Sequence, residues 1–186
     1  MTKFYNRVVS KRVSQKWVQA LGPEKMSAAE ISGNRGERWK FDSYTRYQYP
    51  DYDICKDPFT DETGEIVKHD IFLADQVWEH LDFPYRATKN IHAMLKPGGY
   101  FWLATPFYVK YHPAPHDCSR WSARGLKNLL IECGFDENEI QSEQWGNREC
   151  AKREMGKRWA VYERGVDSLE NDPDFPVMSW ALARKT

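Results

Sequence analysis

Asp70-Ile71-Phe72-Leu73-Ala74 and Tyr100-Phe101-Trp102-Leu103-Ala104-Thr105, with residues 84–95 between them, form the stretch whose reading decides the fold. Both runs are dominated by apolar and aromatic residues, as in strands covered on both faces. Between them Tyr85, Ala87, Ile91, Met94 and Leu95 recur at helical spacing, so 84–95 reads as a helix. Lys96-Pro97-Gly98-Gly99 breaks that helix and turns the chain, and Pro106 ends the second strand. Strand, helix, strand in this order is a parallel pair with its crossover, the repeating unit of a doubly wound α/β sheet.

Outward from this unit the alternation continues. Ala28-Ala29-Glu30-Ile31 and Tyr44-Thr45-Arg46-Tyr47 are upstream strand candidates, and the interval from Gly36 to Tyr44 leaves the first crossover helix short or absent. Residues 122–133 read as a helix with Ser122 as N-cap and Gly134 ready for a left-handed C-terminal residue. Val177–Ala183 is a final strand. Phe4, Val8, Val9, Val13, Trp17, Val18 and Leu21 predict an amphipathic helix within residues 1–25. The polar stretch 146–176 reads as a flap or mobile loop.

The chain has 186 residues, which suits a single domain spanning 1–186. Lys and Arg number 27 and Asp and Glu also 27, so no overall charge draws the protein to a polyanion and a nucleic-acid partner is not expected. Neither a signal peptide nor a membrane span is visible, so the expected setting is cytoplasmic and away from a membrane. Cys55, Cys118, Cys133 and Cys150 form no C-x-x-C pair and read as free thiols.

The run from Phe72 through Glu79-His80-Leu81, then Pro84, then Asn90 to Leu95-Lys96-Pro97-Gly98-Gly99-Tyr100-Phe101, resembles the class I S-adenosylmethionine-dependent methyltransferases. Several linked motifs in the right order carry this resemblance, which covers roughly residues 26–145 and the last strand. It implies a mostly parallel seven-stranded sheet with an antiparallel last strand, S-adenosylmethionine as cofactor, and methyl transfer to a small-molecule or carbohydrate acceptor, with oxygen as the acceptor atom. Glu30-Ile31-Ser32-Gly33-Asn34-Arg35-Gly36 stands where that family has its acidic, glycine-rich cofactor loop, with Ser32 and Asn34 in place of the first two glycines. Glu30, Gly33, Asn34 and Gly36 are thereby cofactor candidates. Gln48 takes the place of the ribose-binding acid, with Asp51 and Asp53 just behind it. Asp57 and Phe59 resemble the segment bordering adenine, and Asp75 and Gln76 end the fourth strand of the family pattern. The same pattern with altered loop glycines also fits a catalytically silent binding or scaffold protein.

Methyl transfer to a hydroxyl needs a base, and His80, just after a parallel strand, is the first candidate. His112 and Asp117 are rivals on the next loop. Glu79, Arg120, Trp145, Asn147 and Arg148 are candidates for binding the acceptor. His112, His116 and Asp117 also read as metal-ligand types; the prolines at 113 and 115 make a rigid turn and no fourth ligand is evident, so no metal is expected.

Overall fold

The computed structural model describes residues 3–156 and 158–186. Its centre is a sheet of six strands: β1 (Ser27–Ile31), β2 (Ser43–Tyr47), β3 (His69–Asp75), β4 (Leu95–Pro106), β5 (Ile140–Trp145) and β6 (Met178–Arg184), in the order β2-β1-β3-β4-β6-β5. The first four pair in parallel, and β6 runs antiparallel to both β4 and β5. All strands proposed from the sequence are present, but the expected seventh is not among the described residues. Between β2 and β3 there is only a single bridge, Thr60 to Ile66. Pro50, Pro58 and Gly64 interrupt that interval, and Asp61 Oδ1 ties it into a turn by accepting from the amides of Thr63 and Glu65.

Among the described residues, four α-helices cover the sheet: α1 (Val8–Ala20), α2 (Pro84–Met94), α3 (Ala123–Glu132) and α4 (Arg148–Glu154). Ser122 caps α3 by accepting from the Gly125 amide, and Gly134 takes φ +105° after it. One sheet face, with Ala29, Phe72, Phe101 and Leu103, packs against Ile91 and Met94 of α2 and Leu126 and Leu130 of α3. The other face, with Ala28, Leu73, Trp102 and Trp180, meets Val18 of α1 and Cys150 and Ala151 of α4. With both faces covered, the central strands can be apolar on every residue, which is the pattern first seen in their sequence.

Two intervals depart from expectation. Lys96–Gly99 is counted within β4 rather than as a separate turn, yet the pairing jumps from His69–Leu95 to Ile71–Tyr100, so the extra residues bulge. Gly98 there has φ +78°, and a side chain on Gly99 would lie 2.9 Å from the Lys96 carbonyl oxygen. The first crossover is a single 3-10 turn, Arg35–Arg38, as its length required. Residues 146–176 contain α4, and Tyr5 fastens them by donating its hydroxyl to the Ser168 carbonyl at 2.6 Å.

Candidate active site at the carboxyl ends of the parallel strands

Parallel strands present their carboxyl ends, and the loops that leave them, at one edge of the sheet. There a cavity of about 570 Å³ opens, within the range typical of small-molecule sites. Ile31 and Ser32 reach it from the end of β1, Gln48, Tyr49, Asp53 and Ile54 from the chain after β2, and Gln76, Val77 and His80 from the end of β3. Asp82, Phe83, Arg86 and the turn Ala114-Pro115-His116 close the other side. The walls alternate apolar surface with polar groups, the composition expected around a small-molecule ligand.

Ser32 and Gln76 both adopt left-handed backbone, at φ +49° and +59°, and both line the cavity. Such conformations are costly for residues with side chains and tend to gather at functional sites. Asn34, a residue type that tolerates positive φ better than most, sits instead at φ −147°.

Beneath this loop lies Glu30, fully buried. Its carboxylate accepts from the Arg35 amide at 2.8 Å, the Gly36 amide at 2.6 Å and the Tyr44 hydroxyl at 2.5 Å. Gly33 and Gly36 are glycines for a related reason: a Cβ would lie 2.2 Å from Glu30 Oε1 at the first and 2.2 Å from the Tyr44 ring at the second. Glu30, Gly33, Asn34 and Gly36 therefore shape the loop without lining the cavity. Gln48 does line it, while its amide nitrogen donates to the Gly33 carbonyl at 3.2 Å.

Asp75 stands back from the cavity and pairs with Arg35 at 2.9 Å. Burial pulls its carboxyl upward, but the Arg35 and Arg7 charges outweigh this and hold it below the ordinary range. The Arg35 guanidinium also lies over the Trp102 ring, and Arg7 donates to Gln76 Oε1 at 2.8 Å, linking the N-terminal segment to the cavity rim. Phe59 is a core residue against Tyr47, and Asp57 lies on an adjoining surface hollow rather than in the cavity. Asp53 and Ile54, a few positions earlier, line the cavity instead. Their signal in the sequence was an acidic-apolar pair matching that of Asp57 and its neighbours.

Along the same edge of the sheet, a short 3-10 turn after β3, Trp78–His80, sends His80 to the cavity and Glu79 into the interior. His80 Nδ1 lies 2.6 Å from the His116 carbonyl oxygen, which places its proton there and leaves Nε2 with a lone pair. Burial lowers the His80 pKa, opposed by that carbonyl contact. The His112 ring stands 5.1 Å from that of His80, with its Nδ1 2.9 Å from the Lys110 carbonyl. Asp117 is taken up by Arg120 through both guanidinium nitrogens and by the His112 amide. The Arg120 contact drops the Asp117 carboxyl to about 2. Arg120 and Asp117 thus brace the loop as a pair.

Trp145, Asn147 and Arg148 are not brought to this cavity. They lie at the end of β5 and just after it, three strand positions from β3, or roughly 14 Å at the usual inter-strand spacing. Trp145 is core and donates to the Leu169 carbonyl, Asn147 caps α4, and Arg148 covers Phe175. Asp82, Arg86 and His116 line the cavity instead; from sequence, Asp82 and Arg86 were indistinguishable from solvated helix-start charges.

A family model described as a methyltransferase domain matches residues 15–103. No match is found among curated protein sequences. Among solved structures, the chain is similar to an S-adenosylmethionine-dependent methyltransferase from Thermotoga maritima, at 14% identity and TM-score 0.57 over 98% of both chains. It is also similar to the Burkholderia thailandensis 1,6-didemethyltoxoflavin-N1-methyltransferase bound to its substrate and S-adenosylhomocysteine, at 13% identity and TM-score 0.58 over 97% of this chain and 79% of that one. A cyclase shares the fold as well, at 14% identity and TM-score 0.58 over 94% of this chain and 80% of the other.

Proposed function

We propose that the chain, whose residues 15–103 match a methyltransferase-domain model, is a class I S-adenosylmethionine-dependent methyltransferase that methylates a hydroxyl of a small molecule or glycan. The cavity at the strand ends carries this reading, because it unites the strained Ser32 and Gln76 turns with a histidine whose tautomer is fixed. Ser32, Gln48, Asp53, Ile54, Gln76 and Val77 would hold the cofactor, with Asp53 supplying the carboxylate that Gln48 lacks for a ribose diol. S-adenosylmethionine supplies a methyl group on a positively charged sulfur. The chain's part is to align the acceptor oxygen with that methyl group, exclude water, and receive the hydroxyl proton, for which His80 Nε2 is the group at hand. His80, Asp82 and His116 mark the acceptor end.

Four unpaired thiols support a cytoplasmic setting, and no described helix is long and apolar enough to cross a membrane. Calorimetry with S-adenosylhomocysteine tests the cofactor half: one site is expected, with D53A weakening it about tenfold or more through loss of a charge-assisted contact. No heat at millimolar ligand would sink the reading. Transfer to any hydroxyl acceptor would separate an enzyme from a silent scaffold of the same fold.

A further inference from the structure

We propose that Glu79, His80 and His112 form a binding site for one first-row divalent transition-metal ion at the acceptor end of the cavity. The role of the ion in methyl transfer rests on the function proposed above; the site itself rests on the side chains. Glu79 is fully buried and neither carboxyl oxygen has a hydrogen-bond partner among the described residues. A carboxylate so placed is costly unless a cation or donor compensates it. The neighbouring arginine, Arg120, is committed to Asp117.

What Glu79 does face is imidazole. His80 Nε2 lies 3.7 Å from Glu79 Oε1, and ligand-capable atoms of Glu79, His80 and His112 all fall within 4.8 Å of one another. Both rings have Nδ1 against a backbone carbonyl, His116 for one and Lys110 for the other, which leaves Nε2 as the free electron pair on each. Asp117 adds a carboxylate 3.4 Å from His112 Nδ1. Carbonyls and carboxylates behind the distal nitrogen are the usual supports of metal-bound histidines, since they fix the tautomer and make the ligand more basic.

Ligands about 2.1 Å from an ion stand roughly 3–3.5 Å apart in tetrahedral or octahedral shells, so the more separated atoms of the cluster draw together when an ion binds. Two imidazoles and one carboxylate suit zinc, iron or cobalt rather than calcium or magnesium, and three protein ligands leave coordination positions open. Since His80 also lines the cavity, the site borders the place of the acceptor. With the ion present, His80 serves as ligand, and the ion rather than imidazole makes the acceptor hydroxyl acidic. The hydroxyl proton then leaves to solvent, the O–CH3 bond forms as the S–CH3 bond breaks, and the cofactor departs as a neutral thioether.

The test titrates the chelator-treated chain with cobalt(II) chloride, without cofactor, and follows the visible absorption of the bound ion. One saturable equivalent is expected, displaced by zinc(II), and weakened at least tenfold in both E79Q and H112Q. H112Q alters a partly exposed side chain, so circular dichroism will separate lost binding from lost folding even if E79Q folds poorly. No saturable binding by the unmodified chain, or H112Q binding as tightly as it, overturns the site. So does loss of cobalt in D82N, which would place the ion at the exposed cluster of Asp82, His116 and Cys118. S-adenosylhomocysteine calorimetry on the same sample keeps the two readings apart, because cofactor binding without cobalt binding overturns only the metal site.

Discussion

Glu30 replaces the contacts a short loop cannot make for itself. The turn from β1 into Arg35–Arg38 leaves the amides of Arg35 and Gly36 inside the protein, and one carboxylate accepts from both and from the Tyr44 hydroxyl. Burial, followed by the hydrogen bond to Glu30, raises the Tyr44 phenol and keeps it a donor. In E30Q an amide group faces three donors and satisfies them incompletely, so a loss of about 2–3 kcal/mol is expected in urea unfolding, with weaker S-adenosylhomocysteine binding alongside. Unchanged stability would mean that the loop is held by other contacts. The acidic residue and its glycines were legible as a loop motif, but their arrangement was not. Resemblance assigned Glu30 to the cofactor, whereas folding turns it beneath the loop. The positive φ falls on Ser32, which no propensity singles out over Asn34.

At the scale of elements, periodicity and caps were readable because they are local. The spans of α2 and α3, the Ser122 cap and the left-handed Gly134 follow from spacing and residue type alone. The missing strand after β2 and the placement of Trp145, Asn147 and Arg148 depend on which strand lies beside which, a property that no window of sequence contains. β6 separates β4 from β5 and carries those residues away from the cavity. Gly146 shows how closely this edge is fitted: a Cβ there would lie 2.0 Å from the Phe175 carbonyl oxygen and 2.4 Å from the Val177 amide nitrogen, both backbone atoms. G146A should therefore cost about 3 kcal/mol or more, seen as a lowered thermal midpoint. A melting curve matching that of the unmodified protein would show that the returning chain can shift aside.

At the scale of the whole molecule, the buried carboxyl of Glu154 makes stability depend on pH. Glu154 closes α4 where the N-terminal segment and the chain near Ala160 converge, and it is fully buried. Burial pushes its carboxyl up from 4.5 to about 7, with the backbone around Asn6 and the Lys110 charge opposing only in part. Below about 4.5 the group is neutral in both folded and unfolded chains. Between 4.5 and 7 the unfolded chain releases a proton that the folded one keeps, so this residue's contribution to stability is present at low pH and is lost as pH rises through the window. Burial lowers His69, His80 and His92, and these act in the opposite direction, because they bind fewer protons when folded. The total slope therefore mixes signs, and only a difference isolates Glu154. E154Q stays neutral throughout, so its stability relative to the unmodified chain should rise from pH 5 to pH 8 by up to about 3 kcal/mol, at about 1.4 kcal/mol per unit of displaced pKa. Urea midpoints in chelating buffer at the two pH values measure this. If the two proteins keep the same gap at both, Glu154 ionises as readily inside the fold as in water, and the junction of α4 with the N-terminal segment must admit enough solvent to let it do so.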